Sequence, residues 1–244
     1  MKNVLFLQAR LNSKRLPSKV LLKIKGKTIL EHIVNRLKQS KKIDDIFILT
    51  SKSKKDNMIF DLCNKIKINC YRGPENDVLK RFYEVAVNLN VEYIVRCNAD
   101  CPFIDYKILD EMIVKFEKYR KINYLSNILQ QTFPIGMHIE IFTKNTLVLA
   151  QKFCKSKNRR EHVTPYIYNN KKFKIKNFSS LKNLSYHRWT IDYKEDYLFA
   201  KKIYNTLYND KKYFDMYDIL KLLSKKPELM KINYHIEKTN NLIR

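Results

Sequence analysis

Glycine is scarce in this chain of 244 residues, which contains three glycines in total. Neither a GxxxxGK[ST] phosphate-binding loop nor a GxGxxG fingerprint occurs, which argues against the two common glycine-rich nucleotide sites. No apolar run approaches the roughly 18–20 residues of a membrane-spanning helix. The first residues, MKNVLFLQAR, lack the length and the cleavage site of a secretory signal. We therefore expect a soluble, cytoplasmic protein without a membrane partner.

Paired cysteines are also missing. The five cysteines are an odd number, with no CxxC pair and no Cys/His cluster at zinc-binding spacing. This pattern argues against a disulfide framework and against a structural zinc site. A reducing compartment fits this cysteine usage.

Acidic residues are few relative to basic ones. The chain has 24 Asp and Glu against 49 Lys and Arg, which gives a formal net charge of +25. Such a charge suits a nucleic-acid-binding protein, because basic side chains neutralise phosphates. Most of the basic residues are lysines scattered along the chain, however, as on an ordinary solvated surface. We favour the surface interpretation and expect no nucleic-acid partner, although a basic surface also attracts small polyanions such as nucleoside triphosphates.

Strand-like and helix-like segments alternate through the first half of the chain. Buried strands are predicted at 4–7, 45–50, 68–71 and 92–97, and helices at 28–40, 55–66, 76–89 and 105–119. Thr28, with Glu31 three residues later, has the pattern of a capping box. This alternation predicts an α/β sheet with parallel strand pairing.

The rhythm of the pattern changes after Tyr124. The predicted elements are strands at 137–142, 173–178 and 187–191, helices at 144–153, 160–169 and 193–208, and a final helix with a polar tail over 213–244. No repeat or low-complexity linker separates these parts. We expect one domain over 1–244, with an antiparallel portion near 125–180 and a helical C-terminal tail.

The loop after the first strand is rich in cations. It reads QARLNSKRLPSKV (8–20) and contains Arg10, Lys14, Arg15 and Lys19. Ligands of α/β sheets bind beyond the carboxyl ends of the strands, and cations with backbone N–H groups at that place can hold a triphosphate. An ordinary basic surface loop is the alternative.

Two later loops place an aspartate directly after a strand-like run. Asp100 lies in RCNADCPFID (96–105), and Asp192 lies in RWTIDYKEDYLF (188–199). A carboxylate at the end of a strand, facing a basic loop, is a suitable Mg²⁺ ligand. The alternatives are a turn aspartate before Pro102 and, for Asp192, the N-cap of the following helix.

Five motifs along residues 1–200 resemble one enzyme family. QARLNSKRLPSKV is similar to the A-R-x-x-S-[KT]-R-L-P-x-K signature of the sugar-acid cytidylyltransferases, NADCP to their aspartate loop, and WTIDYKED to their W-T-[IV]-D-x-x-E-D segment. RGPENDVLKRF (72–82) and RREHVTPYIY (159–168) resemble motifs of the cytidylyltransferase-like proteins of spore-coat polysaccharide synthesis. That branch is the nearest match.

The resemblance implies a fold and a reaction. The fold is a Rossmann-like three-layer α/β/α sandwich of the nucleotide-diphospho-sugar transferase type with a mostly parallel sheet, in a homodimer with its dimerisation portion near 125–180. The reaction transfers CMP from CTP to a sugar acid, or to a related phosphate or phosphonate acceptor, and releases pyrophosphate for surface polysaccharide or glycoconjugate synthesis. Another nucleotidyltransferase or a glycosyltransferase of the same fold is the alternative. The usual DxD pair of such glycosyltransferases is here Asn98-Ala99-Asp100, with a single acid.

The resemblance also implies the site residues. The catalytic residues are expected to be Arg10, Lys19, Asp100 and Asp192, with Mg²⁺ as the cofactor on the two aspartates. The nucleotide-binding residues are expected to be Gln8, Ala9, Arg10, Ser13, Arg15, Lys19, Thr50, Ser51, Arg72, Gly73 and Asp77. The acceptor-binding residues are expected to be Gly136, His138, Glu140, Arg160, Glu161, His162 and Arg188. Considered without the family, Glu161 and His162 would be interpreted as a first-turn acid and a core or capping histidine.

Overall fold

Nine strands are present in the computed structural model, which describes residues 2–119, 121–209 and 213–236. They are β1 (Asn3–Gln8), β2 (Lys23–Ile24), β3 (Lys27–Thr28), β4 (Asp45–Ser51), β5 (Asn69–Gly73), β6 (Tyr93–Asn98), β7 (Tyr124–Ser126), β8 (Glu140–Thr143) and β9 (Ile175–Asn177). β2 and β3 pair as a small hairpin. The other strands form one sheet in the order β5-β4-β1-β6-β8-β7-β9.

Helices connect these strands. They are α1 (Ile29–Leu37), α2 (Asn57–Lys65), α3 (Val78–Asn88), α4 (Tyr106–Lys118), α5 (Lys144–Phe153), α6 (Lys157–His162), α7 (Pro165–Tyr168), α8 (Lys194–Leu207) and α9 (Met216–Lys225). Short 3₁₀ turns cover Lys19–Leu21, Lys54–Asp56 and Pro227–Ile232. No described helix is long and apolar enough to cross a membrane.

The centre of the sheet is parallel. β1 pairs in parallel with both β4 and β6, and β4 pairs in parallel with β5. β8 runs antiparallel to β6 and β7. The carboxyl ends of β1, β4, β5 and β6 therefore meet at one edge of the sheet, where ligands of this fold class bind.

Side chains of β1 alternate between two separate hydrophobic cores. Leu5 and Leu7 are fully buried against the layer formed by α1, α2, α4, α8 and α9. Val4 and Phe6 are fully buried on the opposite face, against α3, α5 and α7. A central strand that buries both faces needs a helix layer on each side. This confirms the predicted mostly parallel α/β/α sandwich.

Two predicted elements of the second half are wrong in form. The helix predicted at 160–169 is two short helices, because Val163 has a positive φ of 70° between them and Pro165 starts the second. The strand predicted at 187–191 is reduced to a single parallel bridge between Ile135 and Arg188. Part of the tail predicted over 213–244 lies outside the described residues.

Candidate active site

A cavity of about 550 Å³ opens at the carboxyl ends of β1 and β6. Its walls come from the loop after β1, the loop after β6, α6 and the segment before α8. The residues that were expected from the sequence and line this cavity are Gln8, Ala9, Arg10, Ser13, Arg15, Lys19, Asp100, His138, Glu161, His162, Arg188 and Asp192. The two aspartate loops and the cationic loop therefore converge at one place.

Lys19 joins the two aspartates. Its Nζ donates to Asp100 Oδ2 at 2.8 Å, to Asp192 Oδ1 at 2.7 Å and to the carbonyl oxygen of Ile191 at 2.7 Å. The three ammonium hydrogens thus have three acceptors, and the residue is 8% exposed. Both carboxylates therefore contact the same ammonium group.

The charges of this group support one another. Burial would lower the pKa of Lys19, but Asp100 and Asp192 outweigh it and raise that pKa above its ordinary value. Burial would also raise the pKa of Asp192, but Lys19 and Arg15 outweigh it and lower that pKa. Arg15 forms an ion pair of 2.9 Å with Asp192. Lys19 and Asp192 are therefore charged at neutral pH.

The two carboxylates fit a divalent cation that arrives with a substrate. Both carboxylates contact the same Lys19 ammonium, so Asp100 and Asp192 lie close enough to bind one cation together. Within the described residues, no group of three or more His, Cys, Asp or Glu side chains could hold a metal by itself. Mg²⁺ in phosphoryl-transfer sites is typically held by one or two carboxylates together with substrate phosphates. The two aspartates match a site of this type, in which substrate phosphates complete the coordination of the metal.

The lining of the cavity is strongly cationic. Six basic side chains, Arg10, Lys14, Arg15, Lys19, Arg96 and Arg188, face three acids, Asp100, Glu161 and Asp192. Cations clustered in a cleft raise the local concentration of anions. The cavity is therefore suited to a polyphosphate.

The cationic loop is fixed by a buried aspartate. Asp56, at 2% exposure, accepts a hydrogen bond of 2.8 Å from the backbone N–H of Leu11. Its second carboxylate oxygen accepts from the Ser51 hydroxyl. Sequence reasoning missed Asp56, because its distance from the loop along the chain gives no signal of the contact.

His138 is a neutral side chain in the cavity wall. Burial lowers its pKa to about 4. The backbone N–H of Gly136 lies 3.5 Å from His138 Nε2, so that this nitrogen is the acceptor and Nδ1 carries the proton. A neutral imidazole of this kind can donate one hydrogen bond to a substrate.

Gly136 lies where two backbone segments cross. The N–H of Trp189 donates to the carbonyl oxygen of Ile135 at 2.7 Å. A Cβ on Gly136 would lie 2.4 Å from the Thr190 nitrogen, and the φ of Gly136 is +102°. Glycine is required here because backbone meets backbone. The crossing supports the segment that ends in Asp192.

Residues 4–237 match the family model described as cytidylyltransferase. The chain belongs to the cytidylyltransferase family. It is 32% identical to the spore coat polysaccharide biosynthesis protein SpsF of Bacillus subtilis, over 84% of this chain and 87% of the relative. The structure of a cytidylyltransferase from Leptospira borgpetersenii superposes with a TM-score of 0.89 at 35% identity, covering 94% of this chain and 97% of that one.

A more distant structure shares the fold alone. CMP:2-keto-3-deoxy-manno-octonic acid synthetase complexed with CTP superposes with a TM-score of 0.67 at 14% identity, covering 84% of this chain and 99% of that one. Family membership makes this chain a CTP-dependent nucleotidyltransferase.

Five residues expected at the nucleotide lie outside the lining of the cavity of this cytidylyltransferase: Thr50, Ser51, Arg72, Gly73 and Asp77. Thr50 and Ser51 are buried, and Arg72 donates to the carbonyl oxygens of Ser51 and Ser53. A Cβ on Gly73 would lie 2.7 Å from Arg81 Cγ, so this glycine makes room for a side chain. None of the five lines the cavity, although Ser51 is joined to the cationic loop through Asp56.

Three residues expected at the acceptor also lie outside the lining: Gly136, Glu140 and Arg160. Glu140 is buried in an ion pair with Arg96 and accepts a 2.7 Å bond from the Tyr124 hydroxyl. Arg160 forms a 2.7 Å ion pair with Asp77. These charges hold the cytidylyltransferase framework together in the structure.

Arg96 is a cavity residue that sequence reasoning missed. It is 4% exposed, lies on β6 and donates to Glu140 and to Gln8. The available signal was a single arginine in the otherwise apolar run EYIVRC, because a charged residue on a buried strand needs a partner or a ligand.

Proposed function

We propose that this cytidylyltransferase transfers CMP from CTP to a sugar acid, or to a related phosphate or phosphonate, and releases pyrophosphate. One observation carries the proposal: Lys19, Asp100 and Asp192 converge in the cavity that the cationic loop also lines. Positive charge for a triphosphate and carboxylates for a divalent cation thus share one site. The family likeness supports CTP as the nucleotide.

The reaction forms one bond and breaks one. An acceptor oxygen attacks the α-phosphorus of CTP, and the bond from that phosphorus to the bridging oxygen breaks, so pyrophosphate leaves with the electron pair. A hydroxyl acceptor also loses its proton, whereas a phosphate or phosphonate oxygen is already ionised. The work of the protein is positioning and charge stabilisation.

The cationic loop has the role of holding the triphosphate. Arg10, Arg15 and Lys19 line the cavity and would neutralise the charge that builds on the departing pyrophosphate. Asp100 and Asp192 would hold Mg²⁺. When bound, Mg²⁺ neutralises phosphate charge and lowers the pKa of an acceptor hydroxyl.

The acceptor side of the cavity is suited to an anionic molecule. Arg188 is 6% exposed, and its guanidinium is held by Asp196 at 2.9 and 3.0 Å. Asp196 occupies the Nε and Nη2 donors and fixes the plane of the guanidinium, which leaves Nη1 as the donor for a carboxylate or phosphate of the acceptor. His138 supplies a neutral donor in the same wall. Surface polysaccharide or glycoconjugate synthesis, as in the name of SpsF, is the setting we propose.

A pyrophosphate-release assay tests the proposal. The purified chain is incubated with Mg²⁺ and each of CTP, UTP, ATP and GTP, against a panel of sugar acids, sugar phosphates and phosphonates. We expect release that requires both CTP and an acid acceptor, with a CMP-acceptor product found by mass spectrometry. Release with another nucleotide, or sugar transfer from a nucleotide sugar without pyrophosphate release, contradicts the proposal.

A further inference from the structure

The C-terminal segment, which contains none of the motifs in the sequence, reaches the active site. It consists of α9, the 3₁₀ turn Pro227–Ile232 and Asn233. Asn233 is 3% exposed, although its neighbours Tyr234 and Lys231 are exposed. A buried side-chain amide needs hydrogen-bond partners inside the protein.

Asn233 donates two hydrogen bonds towards the cavity wall. Its Nδ2 lies 3.0 Å from the carbonyl oxygen of Arg188 and 2.9 Å from Asp196 Oδ1. Both partners are acceptors, which fixes the orientation of the amide, because the nitrogen must face them. The side chain therefore joins the backbone of Arg188 to the carboxylate of Asp196.

Asp196 connects Asn233 to both Arg188 and the backbone at Asp192. It is fully buried and receives Arg188 Nε at 2.9 Å and Nη2 at 3.0 Å. Its Oδ2 also accepts from the backbone N–H groups of Asp192 and Tyr193, each at 3.0 Å. One carboxylate thus fixes the guanidinium of Arg188 and the chain at Asp192 relative to each other.

We propose that Asn233 is a positioning residue, which locks Asp196 and through it sets Asp192 for the metal and Arg188 for the acceptor. The proposal rests on the proposed function for the roles of Asp192 and Arg188. Without the amide, Asp196 Oδ1 keeps Arg188 Nε as a partner but loses its link to the C-terminal segment. The backbone carbonyl of Arg188 loses its side-chain donor. The C-terminal segment is thereby linked to the active site through Asp196 and Arg188.

The experiment compares Asn233→Ala with a matched control, Lys231→Ala, an exposed residue of the same turn. Thermal unfolding checks that both variants are folded. Mn²⁺ affinity is measured by electron paramagnetic resonance with CTP present, CTP affinity is measured by calorimetry without metal, and hydrogen exchange is followed by mass spectrometry in the peptide 189–197. Asn233→Asp, of nearly the same shape, is the second variant and places a carboxylate against two acceptor oxygens.

We expect Asn233→Ala to weaken Mn²⁺ binding by about tenfold, as for other residues that orient metal ligands. We expect faster exchange in 189–197, a larger effect in Asn233→Asp, and unchanged metal-free CTP affinity. The control is expected to match the parent chain. Unchanged hydrogen exchange in 189–197, or parental Mn²⁺ affinity in both Asn233 variants, overturns the positioning role of Asn233. An equal loss of CTP affinity also overturns it, since this indicates general damage. If the complex of the parent chain with CTP binds no Mn²⁺, the proposed metal role fails instead, and the exchange measurement alone decides on Asn233.

Discussion

Lys19 has two possible electrostatic partners, the carboxylates that it contacts in the structure and the phosphates of a nucleotide. Its ammonium is held at 2.8 and 2.7 Å by Asp100 and Asp192. A divalent cation on these carboxylates would compete with the ammonium for the same oxygens. The freed ammonium would then have phosphate oxygens as its natural acceptors. The two carboxylates would thus face a positive charge whether or not a substrate is bound.

The first prediction concerns the two aspartates. Asp100→Asn and Asp192→Asn should each lower turnover of CTP by about 10²–10³-fold, because each removes a charged oxygen ligand of the proposed metal. Steady-state kinetics at saturating Mg²⁺ measure the effect. Asp61→Asn, at an exposed position of α2, is the matched control and should keep parental turnover. Near-parental turnover in either site variant removes that aspartate from the metal site.

At the residue scale, sequence patterns located the cationic loop and both aspartates. They did not predict which charged side chains face the cavity and which pair with one another. Glu140 and Arg160 are expected at the acceptor, yet the structure pairs them with Arg96 and Asp77. A charged residue in a motif shows that a charge is needed. Whether it faces a ligand or another side chain depends on strand register and helix orientation, which the motif does not contain.

At the scale of elements, local signals predicted most boundaries. Thr28 accepts from the Glu31 N–H, and Glu31 accepts from the Thr28 N–H, which is the predicted capping box at the start of α1. Asp105 is the N-cap of α4, where its side chain accepts a hydrogen bond from the Lys107 N–H. The strand predicted at 187–191 is reduced to a bridge with Ile135, because its neighbour is a crossing segment and not a full strand. Pairing between segments distant in sequence cannot be predicted from the local residue pattern.

The second prediction concerns that crossing. Gly136→Ala should lower the free energy of unfolding by about 3 kcal/mol or more, because the new Cβ meets the backbone of Thr190 and the positive φ disfavours an L side chain. Urea denaturation measures the change. Gly26→Ala is the matched control: its φ is also positive, at +79°, but its Cβ would meet nothing within 4 Å. It should cost only about 1–2 kcal/mol. Equal losses in the two variants contradict the crossing argument.

At the scale of the whole molecule, the net charge of +25 matters less than its local distribution. Scattered lysines make the surface basic, while six cations and three acids line one cavity. Strand and helix alternation predicted the mostly parallel sheet. The position of β8 between β6 and β7 could not be predicted, since strand order depends on contacts distant in sequence. The homodimer, the single-domain division and the cytoplasmic location stay predictions.

The third prediction concerns the pH dependence of stability. Burial lowers the pKa of His138 from 6.5 to about 4, so between these values the unfolded chain binds more protons than the folded one. His138 should therefore cost about 3 kcal/mol of stability as the pH falls from 6.5 to 4. His32 and His162, whose pKa values are also lowered by burial, act in the same direction.

Denaturation at a series of pH values from 7 to 4 checks this third prediction. His138→Gln should flatten the acid side of the stability curve, and His235→Gln, which replaces an exposed histidine, is the matched control. If His138→Gln has the parental pH dependence, the assignment of a buried neutral imidazole is wrong.

A crystal structure with CTP and Mn²⁺ would show directly whether the two aspartates hold the metal, because the anomalous signal of manganese locates it independently of the refined coordinates. We expect one peak bound by Asp100 and Asp192, with the triphosphate against Arg10 and Lys19. A manganese peak away from both aspartates, or a triphosphate bound outside the cavity at the ends of β1 and β6, would contradict it.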